Sequence, residues 1–317
     1  MKKLVFAIPV AIVGIFAVAT VGASFYMLDY SLAPDSARRD TAFCFRELRR
    51  LHPEVTPWLD SLKAGHSLRD TFVVMPTGER HHAYYALNGS SHTAAIVIHG
   101  WRDCAIDFFY LARMYERELG YNVVIPDLHA HGLSEGDMIQ MGWLDRLDAL
   151  HWLSVFKTDT MVVHGVSMGA ATTMMLSAET MPEGIRDLHF IEDCGYTDVW
   201  EELEGELSKQ FGLGPFPLMY CANWINKLWY GWSFKEASAL QAVEHSSYPM
   251  LFIHGDQDTF VPTEMCQRLF SAKRSMKEMW LAEGAEHAES YQKHPAEYMR
   301  RVKQFLETTP LPNNQSR

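Results

Sequence analysis

The sequence predicts an α/β fold: a mostly parallel central sheet flanked by helices, with a helical cap inserted late in the chain. Three observations carry this. Short unbroken apolar runs, AAIVI at 94–98, NVVI at 122–125 and MLFIH at 250–254, alternate with longer segments of helical spacing, as expected when parallel strands are buried on both faces. One such run ends in Gly165-Val166-Ser167-Met168-Gly169 and passes directly into a small-residue helical pattern. The alternation then breaks at 197–248, a stretch without a convincing strand and rich in Trp, Tyr and Phe, before it resumes.

Length and composition set the bounds. A chain of 317 residues, 48% hydrophobic and 21% charged, can bury a large core. Its net charge of −11, with no basic stripe beyond the N-terminal segment, argues against a nucleic-acid partner. The five cysteines (Cys44, Cys104, Cys194, Cys221, Cys266) have no C-x-x-C spacing, which argues against a disulfide scaffold and a zinc site. No cofactor and no metal are expected.

Residues 1–28 read as a membrane anchor or signal peptide. Lys2 and Lys3 precede a run with no charge from Leu4 to Leu28, longer than the ~20 residues that span a bilayer as a helix. Small-residue sites at Ala17-Val18-Ala19 and Val21-Gly22-Ala23 would suit signal cleavage. The apolar run continues past both, with Phe25 and Tyr26 placed for an interface, which favours an anchor. Lys2 and Lys3 favour a catalytic domain outside the cytoplasm, whereas Arg38, Arg39, Arg46, Arg49 and Arg50 pull the other way. Cleavage would instead leave a secreted or periplasmic protein.

Residues 29–67 form a helical lead-in, with Phe43, Leu48 and Leu51 on one side. The core covers 68–196 and 249–308, and the cap 197–248. Strands are expected at 68–75 and 80–87 around the turn Pro76-Thr77-Gly78-Glu79. His81 and His82, being adjacent, point to opposite strand faces and are expected at the surface. A helix at 106–119 closes on Gly120, and another covers 143–156. Strands follow at 161–164 and 188–193. After the cap come the strand 250–254, a helix at 263–272, a strand at 277–281 and a closing helix at 295–306, then a polar tail at 310–317 that is expected to fray.

Gly-x-Ser-x-Gly between a strand and a helix is the nucleophile-elbow pattern. A sharp turn there strains the serine backbone and leaves no room for side chains at the flanking glycines. Ser167 needs a base, a group to orient that base, and donors for an oxyanion. In an open parallel sheet these come from loops at the carboxyl ends of strands. Asp258 follows the strand at 250–254 and His287 the strand at 277–281, in the chain order Ser, Asp, His. Asp256 and Asp193 are rival acids; Asp256, right at the strand end, is better placed to tighten the turn. The backbone N–H groups of Met168 and Trp101 are the expected oxyanion donors, with Gly100 allowing close approach and His99 bracing the loop.

The pieces HGW (99–101), PDLHAHGLSEG (126–136), GVSMG (165–169), EDCGYTDV (192–199), FKEASAL (234–240), HGDQDTFVP (254–262) and EH (286–287) resemble the α/β-hydrolase superfamily, in its YqkD-type and Bem46-like bacterial branch. The resemblance runs from about Leu68 to Leu306. It implies a metal-free serine hydrolase acting through an acyl-enzyme on carboxylic esters, with thioesters or amides as variants. His129-Ala130-His131 departs from the R-G-H more usual there. The aromatic insertion suggests a small-molecule ester with an apolar or aromatic group, and the N-terminal segment suggests a membrane partner. A serine peptidase or acyltransferase would use the same groups; a non-catalytic binding protein on this fold would not need them.

Overall fold

The computed structural model describes residues 2–89 and 91–309, with side chains from residue 9 onward. The expected polar tail at 310–317 and the side chains of Lys2 and Lys3 lie outside the described residues. In chain order the helices are α1 (Lys2–Leu32), α2 (Thr41–Leu51), α3 (Thr56–Ala64), α4 (Phe109–Arg113), α5 (Asp145–Val155), α6 (Met168–Leu176), α7 (Val199–Phe211), α8 (Leu218–Tyr230), α9 (Ala239–His245), α10 (Thr263–Ala272), α11 (Ser290–Lys293) and α12 (Pro295–Thr308). The strands are β1 (Leu68–Val74), β2 (Arg80–Ala86), β3 (Thr93–Ile98), β4 (Asn122–Pro126), β5 (Thr160–Val166), β6 (Asp187–Asp193), β7 (Met250–Gly255) and β8 (Lys277–Ala282).

The strands make one eight-stranded sheet in the order β1-β2-β4-β3-β5-β6-β7-β8. β1 and β2 pair antiparallel, as do β2 and β4, and every later pairing is parallel. This is the mainly parallel architecture that the alternating apolar runs predict. Side chains alternate between two buried faces: Ile96 and Ile98 of β3 join one core with Met161 and Val163 of β5, while Ala95 and Val97 join the other with Val162 and Val166. Burial on both faces is why these strands read as unbroken apolar runs.

Three local expectations are corrected. His81 and His82 are fully buried, not at the surface. β2 is an interior strand, flanked by β1 and β4, and α5 and the loop after β4 cover the two histidines. His82 Nδ1 lies 2.7 Å from the Asp127 carboxylate, and His81 sits between Glu79 and Asp148. The single helix expected at 106–119 is three segments: a 3-10 turn (Ala105–Phe108), α4 and a π turn (Met114–Glu118). Phe108, Phe109, Tyr110 and Tyr115 are all buried there, which no regular one-faced helix allows, and Tyr115 Oη pairs with His164 Nδ1 at 2.9 Å. In α2, Leu51 is exposed, and Cys44 with Leu48 forms the buried side.

Between β6 and β7 lie α7, α8 and α9. The two ends of this segment are tied together: Val199 N–H donates to the Ala237 carbonyl, Leu240 N–H donates to the Thr197 carbonyl, and Asp198 bridges Ser238. Among the described residues, α1 is the helix long and apolar enough to cross a membrane, and it runs past residue 28 to Leu32.

Candidate active site

β5 delivers Ser167 into a left-handed conformation, φ 57° and ψ −119°, at the N-cap of α6. A serine pays strain for that conformation, and the neighbouring glycines make it sterically attainable. A Cβ on Gly165 would stand 2.0 Å from the Gly169 carbonyl oxygen, and one on Gly169 would stand 2.1 Å from that of Ile98. Both obstacles are backbone, so neither can swing aside. Gly165→Ala and Gly169→Ala are each expected to destabilise the fold by about 3 kcal/mol. Urea unfolding checks this; a loss below about 1 kcal/mol would mean that the turn is not as tight as described.

β7 and β8 supply the other two groups. His287 Nε2 lies 2.9 Å from Ser167 Oγ, and His287 Nδ1 lies 2.7 Å from Asp258 Oδ2. With the carboxylate accepting, Nδ1 carries the proton and Nε2 is free to accept from the serine hydroxyl. Phe260 lies beside the imidazole, its ring tilted by 47° and its centroid 4.8 Å away.

Asp258 is held by three hydrogen-bond donors and a second imidazole. Oδ1 accepts from the N–H groups of Phe260 (2.9 Å) and Val261 (3.0 Å). Oδ2 accepts from His287 and lies 3.2 Å from His254 Nε2. Burial pushes this carboxyl upward, but the His254 and His287 hydrogen bonds and the charges of both rings outweigh it and hold it at about 2. The stabilisation from this group is therefore present above the unfolded carboxyl range and is lost as pH falls through about 2. His254, fully buried beneath the acid, was not singled out from sequence; its place in the HGDQD turn at the end of β7 was the available signal.

The rival acids point elsewhere. Asp193 accepts from Ser290 Oγ (3.2 Å) and Tyr298 Oη (3.0 Å). Asp256 accepts the Gly284 N–H at 2.7 Å, tying the β7 turn to the β8 turn.

Met168 and Trp101 line the same cavity of about 120 Å³ as Ser167. Gly100 lies against the serine, where a Cβ would come 3.5 Å from Ser167 Cβ. His99 spans the loop: its Nε2 accepts from the Leu128 N–H at 3.0 Å, so its Nδ1 donates to the Gly100 carbonyl at 2.8 Å. Burial lowers the basicity of His99, in keeping with a neutral ring.

Sequence reasoning gave α1 no part in this site, yet its last turn is part of the wall. The Trp101 indole N–H donates to the Ser31 carbonyl at 2.8 Å, and Arg102 donates to the carbonyls of Tyr30 (2.8 Å) and Ala33 (3.0 Å). These are C-terminal carbonyls that a helix leaves without intrahelical donors, so the loop after β3 and the end of α1 complete each other. From the other side, Lys209 of α7 donates to the carbonyls of Thr259 (2.6 Å) and Phe260 (2.8 Å).

Glu202 of α7 lines the cavity as well. Burial, with Glu206 close by, pushes its carboxyl up to about 8. Its folded value lies above the ordinary carboxyl range, so its contribution to stability is full within that range and falls away as pH rises to about 8. Above that range a charge enters the cavity. Glu202→Gln is expected to flatten the decline in unfolding free energy across this window and to remove the rise in KM for an apolar ester on the alkaline side. Identical pH profiles for variant and parent would contradict this.

Two groups of metal-ligating side chains occur among the described residues: Cys194, Asp258 and His287, and Glu79, His81 and His129. In the first, Asp258 and His287 are already joined by a hydrogen bond. In the second, His129 Nδ1 faces Glu79 at 3.1 Å.

No family model matches the chain. It is 32% identical over 195 residues to the uncharacterized protein YqkD of Bacillus subtilis; the match covers 60% of this chain and 63% of YqkD's length. The esterase Pf2001 of Pyrococcus furiosus superposes with a TM-score of 0.59 at 23% identity, covering 76% of this chain and 91% of that one. A predicted CIB-like hydrolase from Thermoplasma acidophilum gives 0.53 at 18% identity, covering 76% and 99%. A bromoperoxidase from Bacillus anthracis gives 0.54 at 17% identity, covering 75% and 100%. The chain has the α/β-hydrolase fold and resembles YqkD.

Proposed function

We propose that this protein is a serine hydrolase that cleaves carboxylic esters, with α1 as its membrane anchor and the segment 197–248 as a cap over the site. The observation that carries the reading is the relay Ser167 Oγ–His287 Nε2 at 2.9 Å and His287 Nδ1–Asp258 Oδ2 at 2.7 Å. The likeness to esterase Pf2001, whose own name states its activity, supports the reaction class.

The Ser167 oxygen attacks the ester carbonyl carbon while its proton passes to His287 Nε2. Asp258 holds the ring in the accepting tautomer and balances the imidazolium charge. The oxyanion accepts from the Trp101 and Met168 N–H groups, an interaction worth ~2.7–4 kcal/mol per donor. The acyl C–O bond breaks, and the alcohol leaves with the proton from His287. Water then gives a proton to His287 and attacks the acyl carbon. The bond to Ser167 breaks, the acid departs and the serine regains its proton.

Parallel assays on p-nitrophenyl acetate and butyrate and on a panel of peptide p-nitroanilides test the class. Ester turnover well above nitroanilide turnover is expected. Preference for the nitroanilides would replace the esterase reading with a peptidase one.

A further inference from the structure

A second cavity adjoins that of Ser167 along α1. Tyr30 and Ser31 of α1, with Leu203, Glu206 and Gln210 of α7, form part of the wall around Ser167. The same five residues line a second cavity of about 40 Å³ that runs on to Leu218, Met219 and Ala222 of α8. From Ser167 outward, the two adjoining cavities therefore lie along the membrane-type helix.

The contacts of α1 place these cavities at a definite depth. Up to Ala23 its described side chains stand exposed, save a half-buried Thr20; then Ser24, Leu28 and Leu32 are buried. The preceding helix, about 22 residues, is ~33 Å long at 1.5 Å per residue, close to the ~30 Å of a bilayer's hydrocarbon core. Ser24 Oγ donates to the Leu218 carbonyl at 3.2 Å, so α8 begins where the helix would leave the hydrocarbon.

α8 is apolar on two sides. Met219, Ala222 and Ile225 are buried, whereas Tyr220, Trp224 and Leu228, at i+4 spacing on the opposite side, are 50%, 66% and 66% exposed. Trp229, 65% exposed, packs edge-on against Phe25 of α1 at 5.5 Å, so the patch is continuous with the exposed apolar surface of the helix. A surface of this kind, dominated by Trp, Tyr and Leu beside a spanning helix, has the composition of the membrane interface.

We propose that the ester is a bilayer-resident acyl lipid, reaching Ser167 between α1 and α7 while the outer side of α8 sits in the interfacial layer of the same membrane. This rests on the ester-hydrolase reading above and names its substrate class. The acyl chain would enter from hydrocarbon past Leu28, Leu203, Leu218 and Met219, the apolar part of this lining.

The test uses the full chain in vesicles of phosphatidylethanolamine and phosphatidylglycerol, with p-nitrophenyl butyrate in the water and 4-methylumbelliferyl oleate in the bilayer. The double variant Trp224→Ser/Leu228→Ser is expected to lose about tenfold or more in oleate turnover and to stay within about twofold on butyrate. Independently, brominated lipids should quench tryptophan emission, and Trp224→Phe/Trp229→Phe should remove most of that quenching. Parallel loss or parallel retention of both activities overturns the proposal, as does quenching that the Phe variant leaves intact, the result expected if a second copy or another protein covers α8. Absence of butyrate turnover by the parent protein overturns the hydrolase reading itself, and the lipid assignment with it; quenching would still show where α8 sits.

Discussion

Ser167→Ala is expected to lower ester kcat by about 10⁴–10⁶-fold while leaving the unfolding midpoint nearly unchanged. The size follows from the division of labour in the site. In the proposed mechanism the serine oxygen is the one atom of the relay that forms a covalent bond to substrate, and His287 has nothing to activate without it. The cavity and the backbone N–H groups remain, so a small residual rate over water is expected. Steady-state kinetics on p-nitrophenyl butyrate beside urea unfolding reads both quantities. A variant that keeps most of its turnover would show that another nucleophile does the work.

Asp258→Asn is expected to lower kcat by about 10⁴-fold and, unlike the serine change, to cost stability as well. The carboxylate accepts two backbone N–H groups at Oδ1 and faces two imidazoles at Oδ2. An amide can keep its oxygen on the backbone donors, but its NH₂ then faces His254 and His287. His287 is driven to carry its proton on Nε2, the wrong side for accepting from Ser167, while the second amide N–H is turned toward His254 Nε2, whose own N–H already donates to the Val261 carbonyl at 2.9 Å. Leaving that buried amide N–H unpaired costs about 1–3 kcal/mol. Kinetics and urea unfolding of the variant check the pair of effects together. Lost activity at full stability would mean that the second amide N–H finds an acceptor beside His254.

How much of this was legible in the sequence differs by element. The parallel strands were, because burial on both faces writes itself as runs such as AAIVI and MLFIH. The turn at Ser167 was legible because backbone crowding at Gly165 and Gly169 permits no other residue type. Asp258 and His287 were legible as residues just beyond strand ends. The burial of His81 and His82 was not, because it depends on β1 adding outside β2 and on loop 127–135 and α5 covering the faces. Nor was the irregularity at 105–118, which arises where aromatic side chains must be buried around the whole circumference. The part of α1 in the site was hidden most thoroughly: the groups that bind Trp101 and Arg102 are main-chain carbonyls, which every residue has and no pattern marks. His254 escaped notice because its partners, Asp258 and the Val261 carbonyl, are brought to it only by the fold of its own turn.

In the proposed mechanism His287 activates Ser167. Treatment with an aryl fluorophosphonate, read by intact mass and peptide mapping, tests it most directly. One phosphonyl adduct, carried by Ser167 and reduced by orders of magnitude in His287→Ala, is the expected result. An unmodified protein, or an adduct that forms equally fast without the imidazole, would contradict it.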